Sequence, residues 1–567
     1  MKKQFILMWI CAILLGSCNN LDLFPLSEGS DSNWFSDETE LEMAVVNVYH
    51  QAFWNGYAPV NFYFNTDDYD RRVEPSDLLN GTVTGRSSII TKAWDYCYKC
   101  ISRANFVLAN YERVQGVPKV KMDMYAANAK FARATQYAKL IFHWGDVPYY
   151  EGSLNIEKAF AMGRIDKNEI LKNIYSDYDY AIEHLPIEYS PKEYQLATKG
   201  AALAFKARIA LYMGDYSIAR DAAKACMDLG VYELFPDYTT LFLSKTKKSV
   251  ETIFSVPYSI EQNVVWGADV CRDVVTRTAG GYASRSPSWD LFCSYLCTDG
   301  LPIDESPLFN PHEPFKNRDP RCSATIVEFD RNWLGFTYTP HPDSLEVLNH
   351  NTGKMVVNND NRAVATWAAF NGLVWAKFVD ESWLGQKADN DNILMRYADV
   401  LLMYAEAKIE LGEIDQTVLD AINSVRARAY SANMSQVSSY PRIITTDQNE
   451  LRKLLRIERR MEFAAENTLR YNDIIRWRLA EKVLNIPRYG MLEVDLLKER
   501  VVDKGLWFFP ETPPVDEDGI TDFKLMHEKG LIKLLINRSF DPSKHYLWPI
   551  PTTEIMINKN MEQNPGY

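Results

Sequence analysis

Two stretches of this 567-residue chain set aromatic rings beside polar side chains in segments without helical periodicity. The first runs from Trp54 to Arg72 and carries Trp54, Tyr57, Tyr63, Asp67, Asp68 and Arg72. The second runs from Trp266 to Trp289 and carries Trp266, Tyr282 and Arg285, with Trp333 joining it from further along. Trp and Tyr rings stack on the flat C–H faces of sugars, while carboxylates, amides and guanidinium groups hydrogen-bond the hydroxyls. These residues are therefore the candidate ligand set. For each ring, the competing role is core packing.

Catalytic patterns are sparse. No phosphate loop, no Gly-x-Ser-x-Gly elbow and no HExxH pair is present. Adjacent acids such as Asp67/Asp68 and Asp380/Glu381 do not reveal the separation that a glycosidase needs. No catalytic residue is assigned, and the expectation is a protein that is not an enzyme. After Cys11 and Cys18, seven cysteines remain, at 97, 100, 226, 271, 293, 297 and 322. An odd number excludes complete internal pairing, and neither Cys97–Cys100 nor Cys293/Cys297 has a matching second pair for zinc. Buried free thiols are expected. The clusters at 358–361 (NNDN) and 389–392 (DNDN) lack the spacing of an EF-hand. They read as exposed polar turns, and no metal or cofactor is expected.

The elements that must position these residues begin with a leader. MKKQFILMWICAILLGSC has a basic start, an apolar run too short to span a membrane, and small residues before Cys18. This resembles a bacterial lipobox, with residues 1–17 as signal peptide and Cys18 acylated. Residues 18–36 then form a tether, and lipid is the only membrane attachment expected. The formal charge is -13. With no basic stripe, nucleic acid is excluded as a partner and polyanionic ligands are disfavoured, although a local basic pocket remains compatible.

Thr198–Gly230 predicts two antiparallel helices, capped by Thr198 and Ser217 and stopped by Gly214 and Gly230. Ala207, Gly214, Tyr216, Ala219 and Ala223 have tetratricopeptide-like offsets. Ala138/Gly145 and Ala405/Gly412 repeat the Ala207/Gly214 spacing. Further helices are expected at 38–54, 91–114, 120–144, 168–185, 393–411, 415–429 and 449–484, with an Asp166 capping box. In the last of these, Glu458, Glu462, Glu466 and Arg470 sit four apart, as in an ion-pair ladder on a helix face. Residues 251–390 are loop-rich, and the prolines of the tail argue for extended chain. The expected architecture is mostly α, with tetratricopeptide-like hairpins, long irregular loops and a few short strands in a single large globule. Its two parts are 37–250 and 251–567.

Along almost its whole length the chain resembles the SusD/RagB outer-membrane lipoproteins. The resemblance rests on the lipobox followed by LDLFP, on FARATQYAKLIFHWGDVPYY (131–150) and on ATKGAALAFKARIALYMGDYSIA (197–219). It continues through SPSWDLFCSYLCTDGLPI (286–303), RDPR (318–321), NILMRYADVLLMYAEAKIELG (392–412), AINSVRARA (421–429) and IERRMEFAAE (457–466), and ends on YLWPIP and QNPGY. One departure is Leu469-Arg470-Tyr471-Asn472-Asp473-Ile474, where the family often has a glycine, which questions a local turn. The resemblance implies an outer-membrane protein, lipid-anchored and facing the cell exterior. It would bind a glycan and deliver it to a SusC-like TonB-dependent transporter. The alternatives are a peptide-binding member, or a surface glycoside hydrolase or lyase on a helical scaffold.

Overall fold

In a computed structural model of the chain, residues 34–55, 65–72, 76–190 and 196–567 are described. Cys18, Tyr57 and Tyr63 lie outside the described residues. Eight helices carry the scaffold: α1 (Ser88–Asn110), α2 (Lys119–Trp144), α3 (Lys167–His184), α4 (Lys199–Met213), α5 (Tyr216–Met227), α6 (Tyr397–Leu411), α7 (Gln416–Ala429) and α8 (Gln448–Phe463). Each of α1 to α7 packs on the next, and α6 also packs on α8.

Local chemistry explains the hairpins. The Thr198 side chain accepts from the Ala201 N–H and starts α4, as expected. Alanines 201, 202, 204, 207 and 210 are buried, so the helices approach closely. Gly214 ends α4 at φ 85°, ψ 9°, and Gly412 ends α6 at φ 72°, ψ 15°. Both are left-handed positions that glycine enters at low cost. Gly145 also has positive φ, but its ψ of -125° sends the chain out extended, and α3 begins only at Lys167. Asp166 caps α3 by accepting from Asn168 and Glu169 N–H groups.

Several expected boundaries differ. α5 starts at Tyr216 with Asp215 at the cap, so Ser217 lies inside the helix. The expected helix at 393–411 is preceded by a strand, because Asn392–Arg396 pairs with Thr252–Val256 and only Tyr397 onward coils. The expected helix at 449–484 is broken after Phe463. Ala465 and Asn467 take positive φ there and turn the chain, and shorter helices follow at Leu469–Arg476 and Ala480–Val483.

The strands are few and short. β1 (Tyr69–Arg71) pairs with β3 (Arg285–Pro287), β2 (Thr252–Val256) with β8 (Asn392–Arg396), and β9 (Arg488–Gly490) with β10 (Lys533–Ile536). β4 (Asn332–Trp333), β5 (Phe336–Thr337), β6 (Glu346–Asn349) and β7 (Lys354–Val357) form a meander. One hydrophobic core runs from Phe35 to Met561. The tail closes onto α2: the Trp144 indole donates to the Pro549 carbonyl at 2.9 Å, and Asn564 donates to the carbonyls of Trp144 and Trp548 at 2.9 and 2.7 Å.

The expected ladder at 458–470 is not a solvent-facing one. Glu458, Glu462 and Glu466 are buried and pair with cations from other segments. Arg321 reaches Glu458 at 2.7 Å and Glu462 at 2.9 Å. Arg396 reaches Glu251 at 2.7 Å, Glu462 at 2.6 Å and Glu466 at 2.8 Å. Arg428 joins Glu251 to Glu462, Arg426 pairs with Glu458, and Lys377 pairs with Glu466. The seven cysteines at 97, 100, 226, 271, 293, 297 and 322 are free and buried.

Three stability outcomes follow from these contacts. Gly214→Val places a β-branched residue at positive φ where a Cβ would meet nothing within 4 Å, so the cost is backbone strain alone. A loss of about 1–3 kcal/mol is expected, read as a lower thermal midpoint; an unchanged midpoint would refute the assignment. Burial disfavours the Glu462 anion, yet Arg428, Arg396 and Arg321 hold its carboxyl well below the carboxylate range. Its stabilisation is therefore present above the unfolded pKa of about 4.3 and is lost as pH falls below it. Burial also pushes the His143 imidazole down to about 3, which adds an acid penalty beginning near pH 6.5. The thermal midpoint should fall from pH 7 to pH 4. Glu462→Ala, which leaves three buried arginines short of one anion, should cost about 3–5 kcal/mol at pH 7.

Candidate functional site

The two aromatic stretches meet through β1 and β3. Their antiparallel register places Tyr69 opposite Pro287, Asp70 opposite Ser286 and Arg71 opposite Arg285. Arg72, one step beyond β1, donates its backbone N–H to the Ser284 carbonyl at 3.0 Å. Its guanidinium donates to the carbonyl of Tyr282 at 2.8 Å and to that of Trp367, and stands 5.4 Å from the Trp367 ring centroid. Trp367 stacks on Phe370 at 6.3 Å and 24°, and the Arg362 guanidinium lies 4.7 Å over Phe370. Trp367 is 57% exposed and Tyr282 44%. Two large rings thus stand in solvent with an arginine between their backbones.

Each ring sits on a loop with a rigid base. The Tyr282 loop turns through Gly280 and Gly281, with the Gly281 N–H bonded to the Thr276 carbonyl at 2.9 Å. A Cβ on Gly281 would fall 2.1 Å from the Val275 carbonyl oxygen, so only glycine permits this close turn. Ala283, next to the ring, has φ 44°, a strained value for a residue with a Cβ. The Trp367 loop is fastened at both ends. Asn358 and Asn361 donate to the Ser344 carbonyl at 2.8 and 3.0 Å, and Asn371 donates to Asp70 at 3.1 Å and to the Pro287 carbonyl at 2.8 Å. The cluster at 358–361, expected as an exposed turn, is thus largely buried and holds this loop. At 389–392, Asn390 and Asn392 are likewise buried. Under the two loops a small second core gathers Ala283, Val327, Tyr338, Ala369, Val374 and Ala376, with Trp333 and Phe329 packed on its edge.

The other sequence candidates have structural roles. Trp54 is buried, stacked between Tyr49 and Phe131 at 5.6 Å from each. Trp266 is 3% exposed, lies 4.2 Å from Tyr258 in a stacked pair, and donates its indole N–H to the Asn390 carbonyl. Asp67 and Asp68 are buried against Arg460, each 2.8 Å from its Nη2, and Asp67 also meets Arg470 at 2.7 Å. Burial opposes ionisation of Asp67, but the Arg460 and Arg470 charges hold it below the carboxylate range. Arg285 pairs with Asp273 at 2.8 Å, and Trp333 is half-buried beneath Arg331. Of the predicted set, Arg72 and Tyr282 form the exposed surface, and Trp333 and Arg285 support its base.

A cavity of about 100 Å³ opens beside Arg72, lined in part by Arg71, Ser286, Phe370, Lys533 and Leu535. Another of similar volume lies in the helical half among Lys139, His143, Arg208 and Tyr212. A third, of about 1140 Å³, is lined in part by Met43, Tyr49, Tyr189, Tyr232, Val250 and Phe254. Neither presents an exposed Trp or Tyr pair like that of residues 282 and 367. Among the described residues, no group of His, Cys, Asp and Glu is arranged to hold a metal ion.

A family model described as "SusD family" matches residues 250–567, more than half of the chain. The chain belongs to the SusD family. A second model, "Starch-binding associating with outer membrane", matches residues 27–211 of this SusD-family protein. It is 24% identical to SusD-like protein P2 of Formosa agariphila over the full length of both chains. Its fold is similar to the crystal structure of a SusD-like carbohydrate binding protein from Bacteroides fragilis, at 27% identity and TM-score 0.76, covering 93% of this chain and 99% of that one. Surface glycan-binding protein A from Bacteroides fluxus shares the fold at 18% identity and TM-score 0.62, with 94% and 100% covered. The helical, tetratricopeptide-like scaffold with small sheets is that of the SusD fold.

Sequence reasoning missed Trp367 and Phe370 as candidate site residues. Trp367 sits in AVATWAAFNG, without the charged neighbours used as a signal. The available clue was steric: a large ring flanked by alanines in a loop has little local surface to pack on. Trp367→Ala and Tyr282→Ala should leave the thermal midpoint unchanged. Each should weaken glycan binding by about thirtyfold, the factor for a hot-spot ring worth about 2 kcal/mol. Trp266→Ala, in contrast, should cost about 3–5 kcal/mol of stability. Calorimetry and affinity electrophoresis on the three variants separate these outcomes; normal binding by both Trp367→Ala and Tyr282→Ala places the site elsewhere.

Proposed function

We propose that this SusD-family protein is a cell-surface lipoprotein that captures a glycan on the Trp367–Tyr282–Arg72 platform and delivers it to a SusC-like TonB-dependent transporter. The observation that carries the reading is the pair of exposed rings held on rigid loops around a guanidinium. Rings supply stacking surface at low conformational cost, and fixed polar groups set orientation. Support comes from family membership and from the Bacteroides fragilis relative, whose description is a carbohydrate-binding protein. The carboxylates nearest the platform are engaged: Asp273 with Arg285 and Ser284, and Asp360 with the backbone N–H groups of Arg277 and Thr278. That favours binding over turnover.

Attachment is proposed at Cys18, with residues 1–17 removed and the tether, expected over 18–36, shortened at its far end because Phe35 is already buried in the core. Among the described residues, no helix is long and apolar enough to cross a membrane. The placement is the outer membrane, facing outward, through acyl chains that contribute about 0.8 kcal/mol per buried methylene.

Two measurements test this. Mass spectrometry of the membrane-extracted protein should find lipid on Cys18, and Cys18→Ala should be released or remain uncleaved. A wild-type protein without lipid refutes the anchor. Full-length protein in detergent micelles, applied to a glycan array, should retain one class of glycan and leave it intact. Hydrolysis of the retained glycan would replace the binding reading with an enzymatic one.

A further inference from the structure

The carbohydrate reading can be narrowed by the charge around the platform. We propose that the site selects glycans bearing anionic groups, carboxylate or sulfate, and that Arg72 and Arg277 receive those groups beside the Trp367 and Tyr282 rings. The proposal rests on the glycan-binding reading above and adds the ligand's charge to it.

Arg72 and Arg277 are two arginines with no carboxylate within salt-bridge distance among the described residues, whereas their neighbours are paired. Asp273 is taken by Arg285 at 2.8 Å and by Ser284. Glu493 is taken by Arg362 at 2.7 Å and by Lys533. Asp70 is taken by Arg488 at 2.8 Å and Asn371 at 3.1 Å. Asp360 is buried and accepts from the backbone N–H groups of Arg277 and Thr278 at 2.7 and 3.1 Å, not from the Arg277 side chain. Among the described residues, Arg72 donates only to neutral carbonyls, and the Nε of Arg277 is buried without a hydrogen-bond partner.

The two side chains share one rim. Arg72 donates to the Tyr282 carbonyl, and the turn from Thr276 to Gly281 brings Arg277 just ahead of Tyr282. Burial lowers the proton affinity of Arg72 and the nearby Arg277 charge lowers it further, while the Asp273 carboxylate, itself paired with Arg285, acts the other way. Like charges side by side are mutually unfavourable, and a shared anion relieves them. Guanidinium groups match carboxylate and sulfate oxygens through paired N–H donors.

The overall charge of -13 does not oppose this. At physiological ionic strength the Debye length is about 8 Å, so a polyanion seated on the rim is governed by local charges. Net charge disfavours polyanionic ligands in general but is compatible with a local basic pocket, and the proposal places one on this face. The local cations are set between aromatic rings, an arrangement that suits a charged sugar better than a bare polyphosphate.

The test uses the full-length protein in detergent micelles and matched pairs of probes. Polygalacturonate is compared with its carboxyl-reduced form, and carrageenan with its desulfated form, by affinity electrophoresis and titration calorimetry. Wild type should bind at least one charged member about tenfold or more tightly than its neutral counterpart, with affinity falling as salt rises. The pair that responds tells carboxylate from sulfate. Arg277→Gln should remove that preference while leaving the thermal midpoint and the weak binding of the neutral member unchanged. Arg72→Gln should also weaken binding of the charged member, but because Arg72 fastens the two loops that carry the rings its variant is expected to lose neutral binding as well, and Arg277→Gln is the deciding variant. Equal binding of charged and neutral members, binding of neither charged probe, or an Arg277→Gln variant that keeps its preference overturns the proposal. In those cases Trp367→Ala, tested on whichever glycan the array retains, still reports on the platform itself: loss of binding keeps the glycan reading, and unchanged binding removes it.

Discussion

Three arginines converge on the buried carboxylate of Glu462, and the arrangement of the C-terminal part depends on that meeting. Arg321 comes from a short helix in the loop-rich region, Arg396 from the end of β8 and Arg428 from α7. Glu251, just before β2, completes the circuit by pairing with Arg396 and Arg428. Burying so many charges is costly, and their mutual attraction compensates only when each partner is in place. A segment docked wrongly would strand a charge in the interior. The network therefore fixes where irregular chain attaches to the helical stack, which hydrophobic contact alone, being non-directional, does not do.

The same helix reaches the proposed platform. Arg460, two residues before Glu462 on α8, holds Asp67 and Asp68 immediately ahead of β1. β1 then pairs with β3 and delivers Arg72 to its place between Tyr282 and Trp367. A continuous set of buried contacts thus links the ion network to the exposed rings. Rings held this way lose little freedom when a ligand arrives, which favours affinity.

The helical hairpins were legible in the sequence because their causes are local. Thr198 and Asp166 cap helices that begin one residue later, and Gly214 and Gly412 end helices by a property of their own backbone. What escaped has long-range causes. Nothing near Glu462 announces that Arg321 and Arg396 will neutralise it. The four-residue spacing at 458–470 suggested partners on the same helix, while the true partners lie elsewhere in the chain. The strand at 392–396 reads as helix until β2 is known to lie beside it. At the candidate site, the two aromatic stretches meet because β1 and β3 come from them. The division between core and surface within them was not legible. Trp54 and Trp266 look no different in sequence from Trp367, and only their neighbours in space decide which rings reach solvent.

The fastenings beneath the platform grip main chain. Arg72 holds the carbonyls of Tyr282 and Trp367, Asp360 holds the N–H groups of Arg277 and Thr278, and Asn371 holds the Pro287 carbonyl. Every residue type offers those same atoms. The side chains at 277, 282 and 367 can therefore change without loosening the loops that carry them. A scaffold of this kind separates heritable change in the exposed side chains from the cost of refolding the loops beneath them, so one architecture can present a different surface by exchanging a handful of residues.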